Sequence, residues 1–91
     1  MKAIKLLEKE MKEGVMAVLS GAKKKYTAKN VNPEMIDKFM IHLGWQRVGE
    51  FETNGWDYDW WLHYKNPGGD RKFTAFGGGY YGNFDFHPTD E

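Results

Sequence analysis

The spacing of apolar residues changes once along this chain, at Trp45. Before Trp45, apolar side chains recur at steps of three and four residues, which is the period of one helix face. After it they alternate, as in a strand with one buried face, and of the 15 aromatic residues only Tyr26 and Phe39 precede Trp45. A chain of 91 residues has room for one compact domain. The sequence therefore predicts a single α+β domain over residues 1–91, with helices first and a sheet after them.

Two helices are predicted, over about residues 3–20 and 33–43. The first carries one apolar stripe and is followed by Gly21, which suits the left-handed residue after a helix end; Gly14 inside it is costly. The second begins where Asn32 can cap and Pro33 fits the first turn, and Gly44 lies just past its end. The stripes consist of Ile4, Leu7, Met11, Val15 and Val18, then Met35, Ile36, Phe39, Met40 and Leu43.

The remaining chain, about residues 45–88, predicts a four-stranded antiparallel meander whose apolar face the two helices cover. Asn54-Gly55 is typical of a two-residue type I′ hairpin turn, which pairs Gly49 with Trp60. A loop over residues 66–69 then pairs Leu62 with Phe73, and a Gly82-Asn83 turn pairs Gly79 with Phe86. The predicted strands are roughly 46–53, 56–65, 70–81 and 84–88.

The outer face of this sheet is the first candidate site. In the predicted register Glu52 faces Asp57 and Glu50 faces Asp59, although like charges directly opposite each other are destabilising. Apolar and aromatic side chains share that face. A sheet face that contacted only water would not carry so much apolar surface. We expect eight residues there to bind a partner: Glu50, Glu52, Asp57, Asp59, Trp61, Phe76, Tyr80 and Asp85.

The predicted partner of this face is a basic protein surface, met by carboxylate hydrogen bonds and cation–π contacts. If that partner handles nucleic acid, carboxylates spaced along strands could imitate phosphates. The chain would then be a non-enzymatic inhibitor of the kind that viruses, including phages, direct against host proteins, acting in the cytoplasm as a monomer or homodimer. No cofactor or metal is expected, and no apolar run reaches the roughly 20 residues of a membrane span. The lack of cysteine excludes disulfides.

Two alternatives use other residues. Residues 1–29 hold eight lysines and three glutamates, and Lys23, Lys24, Lys25 and Lys29 could bind the phosphates of RNA or DNA. Residues 45–91, by contrast, hold four basic and eight acidic residues, which repels phosphate from the sheet. The second alternative is a small hydrolase, because the predicted register brings His87 opposite Gly78 and Gly78 opposite Asp57, so that the histidine and the aspartate could form an acid–base pair.

A helix that ends in Gly44-Trp45 before an antiparallel sheet resembles small toxin-like RNA-binding domains. The resemblance covers only this junction, and a final strand here replaces the last helix of those domains. No functional residue is carried over from them.

Overall fold

The computed structural model describes residues 2–29, 31–54, 59–78 and 83–89, with side chains described from Glu8 onward. These residues form two helices and six strands, which confirms the α+β class but exceeds the four strands predicted. All six strands pair antiparallel in one sheet of order β1-β6-β5-β4-β2, with β3 also paired to β4. The elements are α1 (Lys2–Ser20), β1 (Tyr26–Ala28), α2 (Pro33–His42), β2 (Gln46–Arg47), β3 (Glu52–Asn54), β4 (Asp59–Lys65), β5 (Lys72–Gly78) and β6 (Asn83–Pro88).

Both helices begin and end within one residue of the predicted positions. Gly21 and Gly44, with φ of 88° and 95°, adopt the left-handed conformation after each helix end. The Asn32 side chain accepts a hydrogen bond of 2.9 Å from the backbone N–H of Met35, so it caps α2. No helix in the described part of the chain combines the length and the apolar character that crossing a bilayer requires.

The core lies between the helices and the inner face of the sheet. The residues predicted to point inward on the central strands are buried, which confirms the assignment of faces. α1 packs over β1 and β6, and α2 packs over β2 and β4, so the two helices cover different parts of one sheet. The buried core side chains are Met11, Val15, Val18, Val31, Ile36, Met40, Trp45, Trp60, Leu62, Tyr64, Phe73, Ala75, Phe84 and Phe86.

The first predicted hairpin has the wrong register. Thr53 pairs with Trp60 and Asn54 with Asp59, so the two-residue turn at Asn54-Gly55 is wrong; residues 55–58, which join these strands, lie outside the described residues. The predicted strand 46–53 is also broken, because Gly49 has a φ of 77°, which an extended strand cannot accommodate. Four residues, 48–51, stand between the paired Arg47 and Glu52, where the partner strand has two. This insertion of two extra residues is a β-bulge of the larger, special class.

The next two registers differ from prediction by an even number of residues. Leu62 pairs with Ala75 instead of Phe73, and Phe86 also pairs with Ala75 instead of Gly79. In the first of these hairpins, the N–H of Asn66 donates to the Arg71 carbonyl and the Asn66 side chain accepts from the Arg71 N–H, which moves the loop along by one residue. The predicted Gly82-Asn83 turn is wrong, because Asn83 pairs with Gly78.

β1 lies between the two predicted helices, where no strand is predicted. Thr27 pairs with Asp85, which places β1 at one edge of the sheet beside β6. The inner side chain of Tyr26 contacts the Phe84 ring edge-to-face, with ring centroids 5.9 Å apart. The Tyr26 ring also fills the space beside Gly14, where a β-carbon would overlap it, so the costly glycine in α1 lets the helix approach the sheet.

Candidate functional site on the outer sheet face

The outer face of the sheet carries one row of side chains that crosses five strands. Strand pairing joins Glu52 to Trp61, Trp61 to Phe76, Phe76 to Asp85 and Asp85 to Thr27. These five residues share a face because side chains alternate along each strand and paired residues point the same way. We call Glu52, Trp61, Phe76 and Asp85 the acid–aromatic row. An aromatic pair thus lies between two carboxylates.

The two rings at the centre of the row pack against each other. The centroids of Trp61 and Phe76 lie 5.3 Å apart and the ring planes are tilted by 37°. Both residues are half-buried, so part of each faces solvent. Exposed rings of this kind offer a face to an apolar or cationic group. Tyr80, the third aromatic residue predicted here, lies outside the described residues.

Three of the predicted acidic residues lie on this face, and they differ in their partners. Asp85 accepts a hydrogen bond of 2.8 Å from the Thr27 hydroxyl and lies 4.0 Å from the Lys25 ammonium, which offsets its charge. Glu52, with a side chain 63% exposed, lies 3.8 Å from Nε2 of His63, a partner that is charged only when protonated. The Asp59 carboxylate lies beside Gly78, 3.6 Å from where a β-carbon would be. The negative charge is therefore concentrated at the β3–β4 end.

The predicted pairs of facing carboxylates are wrong. Glu52 faces Trp61, and Asp59 faces Asn54 rather than Glu50. The bulge carries Glu50 out of the ladder, where it is exposed. Asp57 lies outside the described residues. The structure therefore brings Glu52 and Asp59 onto neighbouring strands without the direct like-charge contact that the predicted register implied.

A polar chain that the sequence did not predict lies beside the row. Nδ1 of His63 is 3.0 Å from the Thr74 hydroxyl, which is 2.7 Å from the Thr89 hydroxyl. Thr74 is only 6% exposed, so these partners satisfy a buried hydroxyl. The alternation of strand residues could have placed Thr74 on this face, but its pairing with His63 depends on the register.

The prediction that His87 lies opposite Gly78, and can therefore approach Asp57, is wrong. His87 pairs with Thr74, four residues before Gly78 on β5. The Nδ1 of His87 donates a hydrogen bond of 2.9 Å to the backbone carbonyl of the next residue, Pro88. The histidine therefore has a local structural partner.

The four lysines predicted to bind phosphate surround β1 without forming one cluster. The Lys25 ammonium lies beside the Asp85 carboxylate. Lys23 and Lys29 line a groove that also contains Glu10 and Glu13. Lys24 is exposed. Carboxylates thus accompany three of the four lysines, which reduces the positive potential that a phosphate would meet.

A second cluster, also missed from the sequence, ties α2 to the sheet. The Tyr64 hydroxyl donates to Asp37 at 2.7 Å, and Arg47 donates to the other oxygen of the same carboxylate at 3.2 Å. Burial, followed by the hydrogen bond to Asp37 and the charge of Asp37, raises the pKa of Tyr64 well above its usual range. We assign this cluster a structural role, because it joins elements that the core already brings together.

Among the described residues, no group of three or more histidine and carboxylate side chains is arranged to hold a metal ion. Comparison of the chain with protein-family models, with curated proteins and with solved structures found no significant match.

Proposed function

We propose that this chain is a non-enzymatic binding protein that docks a basic protein surface on the outer face of its sheet. The observation that carries the proposal is the acid–aromatic row. Its four members lie on four adjacent strands, so the carboxylates of Glu52 and Asp85 are separated by three inter-strand steps, about 14 Å at the usual strand spacing. That span suits the side chains of an interface segment rather than a single small ion.

The chemistry of the row favours guanidinium groups. An arginine stacked on Trp61 gains a cation–π contact, and its planar fork can donate two hydrogen bonds to a nearby carboxylate. Glu52 is mostly exposed and has no permanent cation beside it among the described residues, so it is available to a partner. Asp85 would have to exchange Lys25 for the incoming cation.

A nucleic-acid-handling protein is the partner class that this chemistry suits best, because such proteins present arginine-rich surfaces to phosphates. Glu52 and Asp59, on neighbouring strands, would occupy positions that phosphates otherwise take, and the chain would act as a competitive inhibitor of the kind viruses direct at host enzymes. A cytosolic setting fits a chain without cysteines.

The test is titration with a capped peptide of five Arg-Gly repeats, monitored by calorimetry, with five Glu-Gly repeats as the reference. We expect the arginine peptide to bind and the glutamate peptide not to bind. Glu52→Gln with Asp59→Asn should weaken binding by about tenfold, since both charge-assisted contacts are lost.

The matched control is Glu8→Gln with Asp70→Asn, which removes the same charge from exposed positions away from the outer face. If both double variants weakened binding equally, the loss would come from the change in net charge rather than from the outer face, and the proposal would be contradicted. Failure of the arginine peptide to bind would contradict it as well.

A further inference from the structure

An open groove of about 540 Å³ lies between α1 and the edge strand β1. Its helix wall is formed by residues spaced i, i+3, i+4 and i+7, which makes them one face of α1: Glu10, Glu13, Gly14 and Ala17. This face is distinct from the buried stripe of Met11, Val15 and Val18. On this second face Gly14 is buried against Tyr26, while Glu10 and Glu13 are exposed.

The other wall is β1, and its outer edge is unpaired in the described part of the chain. β1 pairs with β6 on one side, and the sheet order ends there. Because backbone groups alternate in direction along a strand, part of the N–H and C=O groups of Tyr26–Ala28 points away from β6. Such an edge is a template for a further strand.

Small residues and one ring shape the floor of the groove. The Tyr26 ring lies against Gly14, and Ala17 follows one turn of the helix later. Glu10 and Tyr26 line the same groove, where burial and the charge of Glu10 raise the pKa of Tyr26. The groove thus has an acidic wall over a neutral floor.

Charges in the groove form a simple pattern. Glu10 and Glu13 lie along the helix wall, while Lys23 precedes β1 and Lys29 follows it directly, so the cations stand at the two ends. A complementary segment has basic side chains in its middle and acidic side chains at its ends.

A second copy of this chain does not meet that requirement. Antiparallel pairing of two β1 strands about Thr27 would place Lys25 of each copy opposite Lys29 of the other. Like charges directly opposite each other destabilise a strand pair, so self-association at this edge is disfavoured.

We propose that an extended segment of another protein adds to β1 as a further strand. Its basic side chains would point toward Glu10 and Glu13, and acidic side chains at its ends would meet Lys23 and Lys29. This site is separate from the acid–aromatic row, so neither proposal depends on the other.

The probe is the capped heptapeptide Asp-Val-Arg-Thr-Arg-Val-Asp, in which all four charged side chains lie on one face of a strand. We expect it to bind and to slow hydrogen exchange of amides in Tyr26–Ala28. The charge-reversed peptide Lys-Val-Glu-Thr-Glu-Val-Lys should bind at least about tenfold more weakly. Equal binding of the two peptides would overturn the proposal, and so would unchanged exchange in β1.

Variants locate the binding. Glu10→Gln with Glu13→Gln should raise the dissociation constant of the first peptide by about tenfold, while Glu8→Gln with Asp70→Asn, of equal charge change, should leave it within about twofold. Trp61→Ala should also leave it unchanged. If Trp61→Ala abolished binding, the peptide would be bound at the outer sheet face. The groove proposal would then fail, and the proposed function would not.

Discussion

The indole ring of Trp60 lies over Gly77, its partner on the adjacent strand, and fills the space that a side chain at Gly77 would need. The missing side chain of Gly77 therefore makes room for an aromatic ring. Both residues are buried, so the contact cannot be relieved by movement into solvent.

Gly77→Ala should therefore destabilise the domain by about 2 kcal/mol or more, because the new β-carbon overlaps the indole ring. The neighbouring Gly78→Ala is the control, since its β-carbon would meet only Asp59 at an ordinary contact distance of 3.6 Å. Urea unfolding at neutral pH measures both. Equal free energies of unfolding for the two variants would contradict the packing described here.

The inner face of the sheet could be predicted from sequence, but its register could not. Trp60, Leu62, Phe73 and Phe86 face the core as alternation requires, and a slip of two or four residues leaves every side chain on its face. Register depends instead on the connections. The bulge at Gly49 and the added Asn66–Arg71 pair set the register, and neither changes the alternation of apolar residues in the sequence.

Glu52 and Asp59 lie on the predicted side of the sheet, but their predicted neighbours are wrong for the same reason. β1 was missed because three residues, Tyr26–Ala28, are too few to show alternation. Their partner, Phe84–Phe86, lies 58 positions further along the chain, and only the folded sheet brings the two together.

Tyr64→Phe should reduce the sensitivity of the fold to alkali. The raised pKa of Tyr64 means that folding favours the neutral phenol, so its contribution is complete below about pH 10, the unfolded value, and is lost as the pH rises above it. Above pH 10 the free energy of unfolding should fall more steeply for the wild type than for the variant, by up to about 1.4 kcal/mol per pH unit.

At pH 7 the same variant should be less stable by about 1–3 kcal/mol, because Asp37 loses a hydrogen bond. Unfolding in urea at several pH values tests both statements. Parallel curves of stability against pH for the two proteins would contradict the assignment of the buried phenol.

Asn32→Ala should destabilise the domain by about 1 kcal/mol, because the Met35 N–H loses its acceptor at the start of α2. Asn32→Ser keeps a capping oxygen and should lower the free energy of unfolding by only a few tenths of a kcal/mol. Thermal unfolding of the three proteins distinguishes the cap from a general effect of substitution. A serine variant as unstable as the alanine variant would show that the cap is not the cause.

The most direct test of the binding face compares Trp61→Ala with the triple change of Lys23, Lys24 and Lys25 to glutamine, after circular dichroism has verified that both variants fold. Each is titrated with the arginine–glycine peptide and, separately, with a single-stranded RNA of sixteen nucleotides. We expect Trp61→Ala to cost about 2 kcal/mol in peptide binding, near thirtyfold. The lysine variant should bind the peptide at least as tightly as the wild type, because it removes the Lys25 ammonium that competes for Asp85. Tight RNA binding that the lysine variant abolishes and Trp61→Ala leaves intact would contradict the account.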